Sequence, residues 1–423
     1  MKKINTSPIS GMQELLPQAQ TTFNSLKDGL ADIYRKHGFL NIETPIIDRN
    51  EVLLAKAGGD TEKQIYKVVK TAETEDDADQ ALRFDHTVPL ARYIVEHEND
   101  LVFPFAVSQI GRNFRGERAQ KGRFREFYQC DVDVIGRGNL SIYYDAEVIS
   151  TLLEAFSTFG LDTPVLARIN NRKILSGLIE FLGLKEKEAG IFSIIDHSEK
   201  VPTDVTKMAF EDLGITDSNI AKFLAFINLH GSREFVVKNL TNLGIRNNTF
   251  EDGIIELDEV LSTLENSGLA DQVEADMRIV RGLDYYTGTV FEFILPEYKS
   301  IGSVCGGGRY ENLTGHFTEQ KFPGVGGSIG LTRLFYVLNE NNLLKTTEEK
   351  PINYAIVPIS ENELEFAFNL AKEFRSKGET VTVVMLDKKL GDKLTYAAKI
   401  AKNGIVIGED EVKSGKYEIK EFN

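Results

Sequence analysis

The last seventy residues constrain this chain most. From Pro351 onward, apolar strand-like runs and amphipathic helical runs follow one another in strict order: INYAIVPI, NELEFAFNLAKEFRSKG, TVTVVML, KLTYAAKIAKN and GIVIG. A strand returns parallel to its neighbour only through a crossover of about a dozen residues or more, usually a helix. This order therefore predicts a small α/β domain over 352–423 with a parallel sheet. The polar stretch NNLLKTTEEKP, residues 341–351, reads as a linker, with a boundary near 345. At roughly 150 residues per domain, 423 residues suggest two or three domains in all.

Upstream, the pattern is mixed. Phe23, Leu26, Leu30, Ile33 and Tyr34 recur at helical spacing and predict a helix over 18–37. The acidic segment KTAETEDDADQ, 70–80, reads as a solvated loop. Residues 102–136 read as extended, 142–160 as helical and 166–252 as a run of short helices; strand character returns at 285–295. The expected body is thus α+β, discontinuous over 1–165 and 253–340, with a helical insertion at 166–252. A hydrophobic share of 42% excludes a disordered chain, and no uncharged apolar run approaches the ~18 residues of a membrane span. MKKINTSPISGMQELLP lacks the apolar core of a secretory signal. Two cysteines, Cys130 and Cys305, are too few for a disulfide scaffold or a four-ligand zinc site, which points to a reducing cytoplasm. With 49 Lys and Arg against 64 Asp and Glu, the charge of −15 argues against non-specific coating of nucleic acid but leaves room for a local basic site.

Three constellations carry chemistry. In RNFRGERAQKGRFREFYQCDVD, 112–133, a strand period of two puts Arg123, Arg125, Phe127, Gln129, Asp131 and Asp133 on one face and Phe124, Tyr128, Cys130 and Val132 on the other. A row of cation, amide and carboxylate suits a ligand with a phosphate at one end and a positive group at the other, since the arginine fork donates two parallel bonds and stays charged. A solvated hairpin with a basic loop would show the same period. The second, VRGLDYYTGTVFEF at 280–293, offers Arg281, Tyr285 and Tyr286; strict alternation separates the two tyrosines unless a bend at Gly282 or Gly288 intervenes. An aromatic core strand is the plain alternative. The third is glycine-rich, GSVCGGGRYENL and GVGGSIGLTRLF, and lacks the spacing of a phosphate loop; Arg333 stands off the apolar helix face made by Leu331, Leu334, Phe335 and Leu338. Five of the six histidines, His37, His97, His197, His230 and His316, show no metal-ligand spacing.

Taken together these segments resemble the class II aminoacyl-tRNA synthetases, and specifically the histidyl-tRNA synthetase family. SGMQELLP is similar to the family's opening; IETPIIDRNEVLLAKAGG, 42–59, to motif 1 with its dimer-interface proline, here Pro45; FRGERAQKGRFREFYQ to motif 2; and GVGGSIGLTRLF to motif 3. RGLDYYTGTVFE and GGGRYENL resemble its two histidine signatures, INNRKILSGL the start of its insertion, and 352–423 its anticodon-binding domain. The resemblance implies an antiparallel class II sheet flanked by helices, and a homodimer that uses ATP and Mg²⁺ to join L-histidine to tRNA(His). Carried over residue by residue, Arg115 and Arg281 would hold the α-phosphate, Glu117 the adenine, Arg123 the β- and γ-phosphates, and Arg333 the adenine face and γ-phosphate. Asp85, Thr87 and Gln129 would take the α-amino group, with Tyr286, Asp133 and Tyr285 around the imidazole. LRFDHT, 82–87, departs from the family's Arg-Pro-Glu-Gly-Thr and is nearer Tyr-Asp-Leu-Thr; His86 matches neither form and reads as structural. Lys388, Lys389, Lys393, Lys399 and Lys402 would give the last domain a cationic surface for RNA. A paralogous regulatory subunit of ATP phosphoribosyltransferase shares the body but lacks the last domain and several of the arginines, whereas Arg115, Arg123, Arg281 and Arg333 are all present here.

Overall fold

The computed structural model describes residues 4–55, 62–72, 74, 79–118, 122–280, 286–344 and 350–422. It divides into two compact units, Met1–Glu14 with Leu26–Lys345, and Leu15–Ser25 with Thr346–Asn423.

In the larger unit, six antiparallel strands make the centre of a nine-stranded sheet: β1 (Phe105–Phe114), β2 (Glu126–Ile135), β3 (Leu166–Asn171), β4 (Thr289–Ile294), β5 (Cys305–Tyr310) and β6 (Gly324–Ile329). Their spatial order is β1-β2-β6-β5-β4-β3, and short strands extend both edges, Leu40–Asn41 beside β1 and Val273–Asp276 then His230–Gly231 beyond β3. Helix α1 (Pro17–Lys36), which belongs to this unit from Leu26 onward, ends in Arg35 and Lys36, cations that suit the negative end of its dipole. Its Leu30 and Tyr34 are fully buried, and the Tyr34 hydroxyl donates to the Cys130 carbonyl at 3.1 Å. Helix α2 (Thr87–Glu96) packs Leu90 and Ile94 against Phe105, Val107 and Ile135. Helix α3 (Tyr143–Ala155) brings Leu152 onto β6, where a Cβ at Gly327 would lie 2.6 Å from it. Helix α4 (Leu331–Glu340) follows β6 directly and buries Leu331, Leu334, Phe335 and Leu338.

The structure differs from the periodicity at both ends of 166–252. Leu166–Asn171 is a sheet strand paired with β4, and a helix, Asn248–Leu264, runs through residue 252. Strand pairing with a segment more than a hundred residues away overrides a local helical pattern there. Between them lie helices Arg172–Phe181, Glu188–His197, Thr203–Asp212, Asp217–Ile227 and Arg233–Asn242.

The smaller unit has the parallel strands Val381–Val383, Ile352–Pro358 and Ala401–Ile407, with Lys420–Glu421 antiparallel at the edge. Helix Leu364–Ser376 lays Ala367, Leu370, Ala371 and Phe374, at the 3.6-residue period, on Ile356, Val383, Ile405 and Ile407. The third strand begins earlier than the apolar run suggested, because Ala401 pairs with Ile352 and is fully buried. One expectation fails outright: Lys393 is buried, and its Nζ donates to the Pro358 and Ile359 carbonyls at 2.9 and 3.1 Å, so it belongs to the core and not to a cationic surface. Helical periodicity placed it beside polar neighbours, but a long stem let its head cap a strand end.

Candidate active site

Residues paired across antiparallel strands share a face, so the sheet register can be read as rows. One row runs Gln109, Asp131, Ser328, Gly306, Glu292, Arg168 from β1 to β3. The next runs Val107, Asp133, Gly326, Gly308, Val290. Glycines in the middle of both rows leave a hollow flanked by polar side chains. A Cβ at Gly326 would stand 1.9 Å from Asp133 Oδ1, and one at Gly308 would stand 2.9 Å from the Tyr286 ring. The glycine runs thus let neighbouring side chains lie flat on the sheet.

The result is a cavity of about 280 Å³ lined by Asp85, Thr87, Arg115, Gln129, Asp133 and Tyr286, among others. That is the small end of the ~300–1,000 Å³ typical of ligand pockets. Asp85 precedes α2 and accepts from the Val88 N–H at 3.1 Å, so a helix N-terminus fixes its carboxylate. The Arg115 guanidinium lies over the Phe84 and Phe127 rings, 4.3 and 5.0 Å from their centroids, and its Nε donates to the Phe84 carbonyl at 3.3 Å. Gln129 accepts from Asn113 Nδ2 at 2.9 Å and donates to Ser328 Oγ at 2.7 Å, which sets the orientation of its amide.

Burial dominates the electrostatics. Asp85, Asp131 and Asp133 are all buried, and the Asp131 charge disfavours ionisation of the other two. Burial, followed by Asp131, pushes Asp133 up to about 8, although Tyr310 donates to its Oδ1 at 3.1 Å and opposes the rise. Burial also raises Asp85, while the Val88 N–H and then Arg115 pull it back. A second cavity, lined by Ser303, Cys305, Arg333 and Val337, meets the first at Gly306 and Ser328.

A family model described as histidyl-tRNA synthetase matches residues 11–334, and one described as anticodon binding domain matches 353–423. The curated histidine–tRNA ligase of Clostridium tetani is 44% identical over 424 residues, covering 99% of this chain and 95% of that one. The chain belongs to the histidyl-tRNA synthetase family. The crystal structure of histidyl-tRNA synthetase from Nostoc sp. PCC 7120 matches at a TM-score of 0.88 and 37% identity, covering 99% of this chain and 95% of that one. An ATP phosphoribosyltransferase regulatory subunit/histidyl-tRNA synthetase structure from Bacillus halodurans C shares the fold, at a TM-score of 0.78 and 21% identity over 93% of this chain and 97% of that one. The class II architecture expected from the sequence is therefore the architecture present, with a small-sheet anticodon-binding type of domain after it.

Within this synthetase fold, six of the residues singled out from the sequence surround one cavity: Asp85, Thr87, Arg115, Gln129, Asp133 and Tyr286. Glu117, Arg123 and Arg333 do not line it. Arg123 Nη1 sits 3.4 Å from Glu117 Oε2, and Arg333 lines the adjoining cavity, its Nη2 donating to the Ile301 carbonyl at 3.1 Å. Partial burial, and next the proximity of Arg123, lower the pKa of Arg333. Arg281 and Tyr285 lie outside the described residues. Sequence reasoning missed the lining residues Ser328, Tyr310 and Glu292. Alternation had put Asp131 on the right face, but only the register shows it opposite Ser328. Both cysteines are buried thiols that burial pushes well above their usual range; Cys305 lines the cavity of Arg333.

Proposed function

We propose that this chain is a histidine–tRNA ligase, which joins L-histidine and ATP into histidyl-adenylate with release of pyrophosphate and then transfers histidine to the 3′ end of tRNA(His). The observation that carries this reading is the convergence of Asp85, Thr87, Arg115, Gln129, Asp133 and Tyr286 on one amino-acid-sized cavity, in a chain of this family. In the first step a histidine carboxylate oxygen attacks the α-phosphorus and the bond to the β-phosphate oxygen breaks. The nucleophile is already ionised, so the step needs alignment and charge stabilisation more than a base. Arg115, held against two aromatic rings, presents a fixed cation to the α-phosphate; Arg281 adds a second by the sequence motif. Arg123 and Arg333 take the β,γ-phosphate end and the adenine face, and Glu117 takes the adenine edge.

Asp85, Thr87 and Gln129 hold the α-amino group. A neutral imidazole presents one donor and one acceptor, which Asp133, Tyr286 and Tyr285 complement. Among the described residues no group of three or more His, Cys, Asp or Glu converges as a metal site. Mg²⁺ would neutralise the charge of the nucleotide phosphates, as is usual for this ion. In the second step the terminal ribose hydroxyl attacks the adenylate carbonyl and AMP leaves. Residues 352–423 read the anticodon and the insertion at 166–252 holds the acceptor stem. Leu40, Ile46 and Ile47 are exposed beside Pro45, which supports a homodimer through this segment. Among the described residues no helix is long and apolar enough to cross a membrane, and the reading places the protein in the cytoplasm.

Histidine-dependent exchange of label between pyrophosphate and ATP tests the proposal, together with charging of tRNA(His). Both activities are expected. A protein that binds histidine but exchanges nothing would instead support a regulatory, non-charging role.

A further inference from the structure

His86 lies between two cavity-lining residues, Asp85 and Thr87, yet it does not line the cavity itself. It is 1% exposed, and its Nδ1 is 3.1 Å from Asp131 Oδ2. The other oxygen of Asp131 accepts from Ser328 Oγ at 2.5 Å. Ser328 in turn accepts from Gln129 Nε2 at 2.7 Å, and Gln129 accepts from Asn113 at 2.9 Å. Asp131 therefore has both oxygens engaged inside the protein, and a single hydrogen-bonded chain runs His86, Asp131, Ser328, Gln129, Asn113. Three of its members, Asp131, Ser328 and Gln129, line the cavity.

The second ring nitrogen of His86 has no hydrogen-bond partner and rests on the β1 backbone, where a Cβ at Gly111 would come within 3.1 Å of it and 2.4 Å of Arg83 Nη2. With Nε2 placed against a glycine, only Nδ1 serves the network, and it does so as the donor that a buried carboxylate requires. Resting on the functional reading above, we propose that His86 is a positioning residue for histidine recognition: by donating to Asp131 it holds the Ser328–Gln129 pair in register and so aims the Gln129 amide at the substrate.

The test compares His86→Leu, which keeps bulk and loses the donor, with His86→Asn, whose side-chain amide nitrogen can occupy the place of Nδ1. Pyrophosphate exchange gives kcat and KM for L-histidine, and calorimetric titration gives its Kd. His86→Leu is expected to raise KM and Kd by roughly 10- to 100-fold, the loss of one buried hydrogen bond to a charged group, with kcat changed only a few-fold. His86→Asn is expected to restore most of the affinity. If Leu and Asn variants are equally impaired, or if neither changes KM or Kd, the proposal is overturned. Should His86→Leu fail to fold, Ser328→Ala interrupts the same chain one link on and must give the same split between KM and kcat; an unchanged KM there overturns it too. Absence of exchange in the parent protein would refute the ligase reading instead, so the two failures are distinguishable.

Discussion

Asp133 is the residue at which burial and function meet. Its carboxyl ionises near 3.8 in an unfolded chain and near 8 in the fold, so the folded state holds the extra proton between those values. Stability must then fall as pH rises through that window, because the unfolded state releases its proton first. Melting temperature measured without ligand from pH 4 to 9 should decline across this range, and Asp133→Asn should flatten the decline; a slope unaltered by the substitution would show that the burden lies elsewhere. On the proposed reading the same substitution removes the carboxyl that meets the imidazole, so the variant should bind histidine more weakly.

At the level of strands and helices, the glycine rows and one buried ion pair set the cavity. Gly326→Ala would thrust a methyl group into Asp133 and the β2 backbone. Overpacking of this kind costs about 1–3 kcal/mol, and the displaced carboxylate should raise KM for histidine more than it lowers kcat. Kinetics of the purified variant decide this, equal loss of both parameters being the contrary result. Arg309 belongs to β5 and ties the cavity strand to α3: Nε and Nη2 reach Asp145 at 3.0 and 2.7 Å, and Nη1 and Nη2 reach the Leu140 and Ser141 carbonyls at 3.1 and 2.8 Å. Removing Arg309 strands a buried carboxylate, so Arg309→Leu should destabilise the protein by about 3–5 kcal/mol in urea unfolding, whereas Arg309→Leu with Asp145→Leu should recover part of that loss. At this scale the sequence was partly legible. Alternation alone put Gln129, Asp131 and Asp133 on one face, because strand period is a local property. It was silent on Ser328 opposite Asp131, 197 positions away, since register between distant strands is fixed by pairing and packing across the whole sheet. It misread Lys393 for a related reason, a flexible stem reaching a carbonyl that no local pattern reveals.

The molecule as a whole joins a large antiparallel body to a small parallel domain, and each has its own core. That division was readable from the strict order of strands and helices after Pro351, and family motifs placed the body. If the second domain serves only tRNA, deletion of 350–423 should leave histidine-dependent pyrophosphate exchange nearly intact while crippling charging of tRNA(His). Equal loss of both reactions would count against that division of labour. The His86 network belongs to this scale in one respect: it links a loop ahead of α2 with strands from both ends of the body, so motif-by-motif reading could not assemble it.

The cavity on the sheet is written in the genome as side chains left out. Gly306 and Gly326 line it, and every replacement available to a glycine adds atoms. Mutational drift at these codons can therefore narrow the chamber but cannot enlarge it. On the proposed reading, a descendant that accepts a bulkier amino acid makes room by trimming other lining side chains, among them Asp133, Tyr286 and Gln129, the groups assigned to discriminate, so wider appetite and poorer fidelity would arrive together.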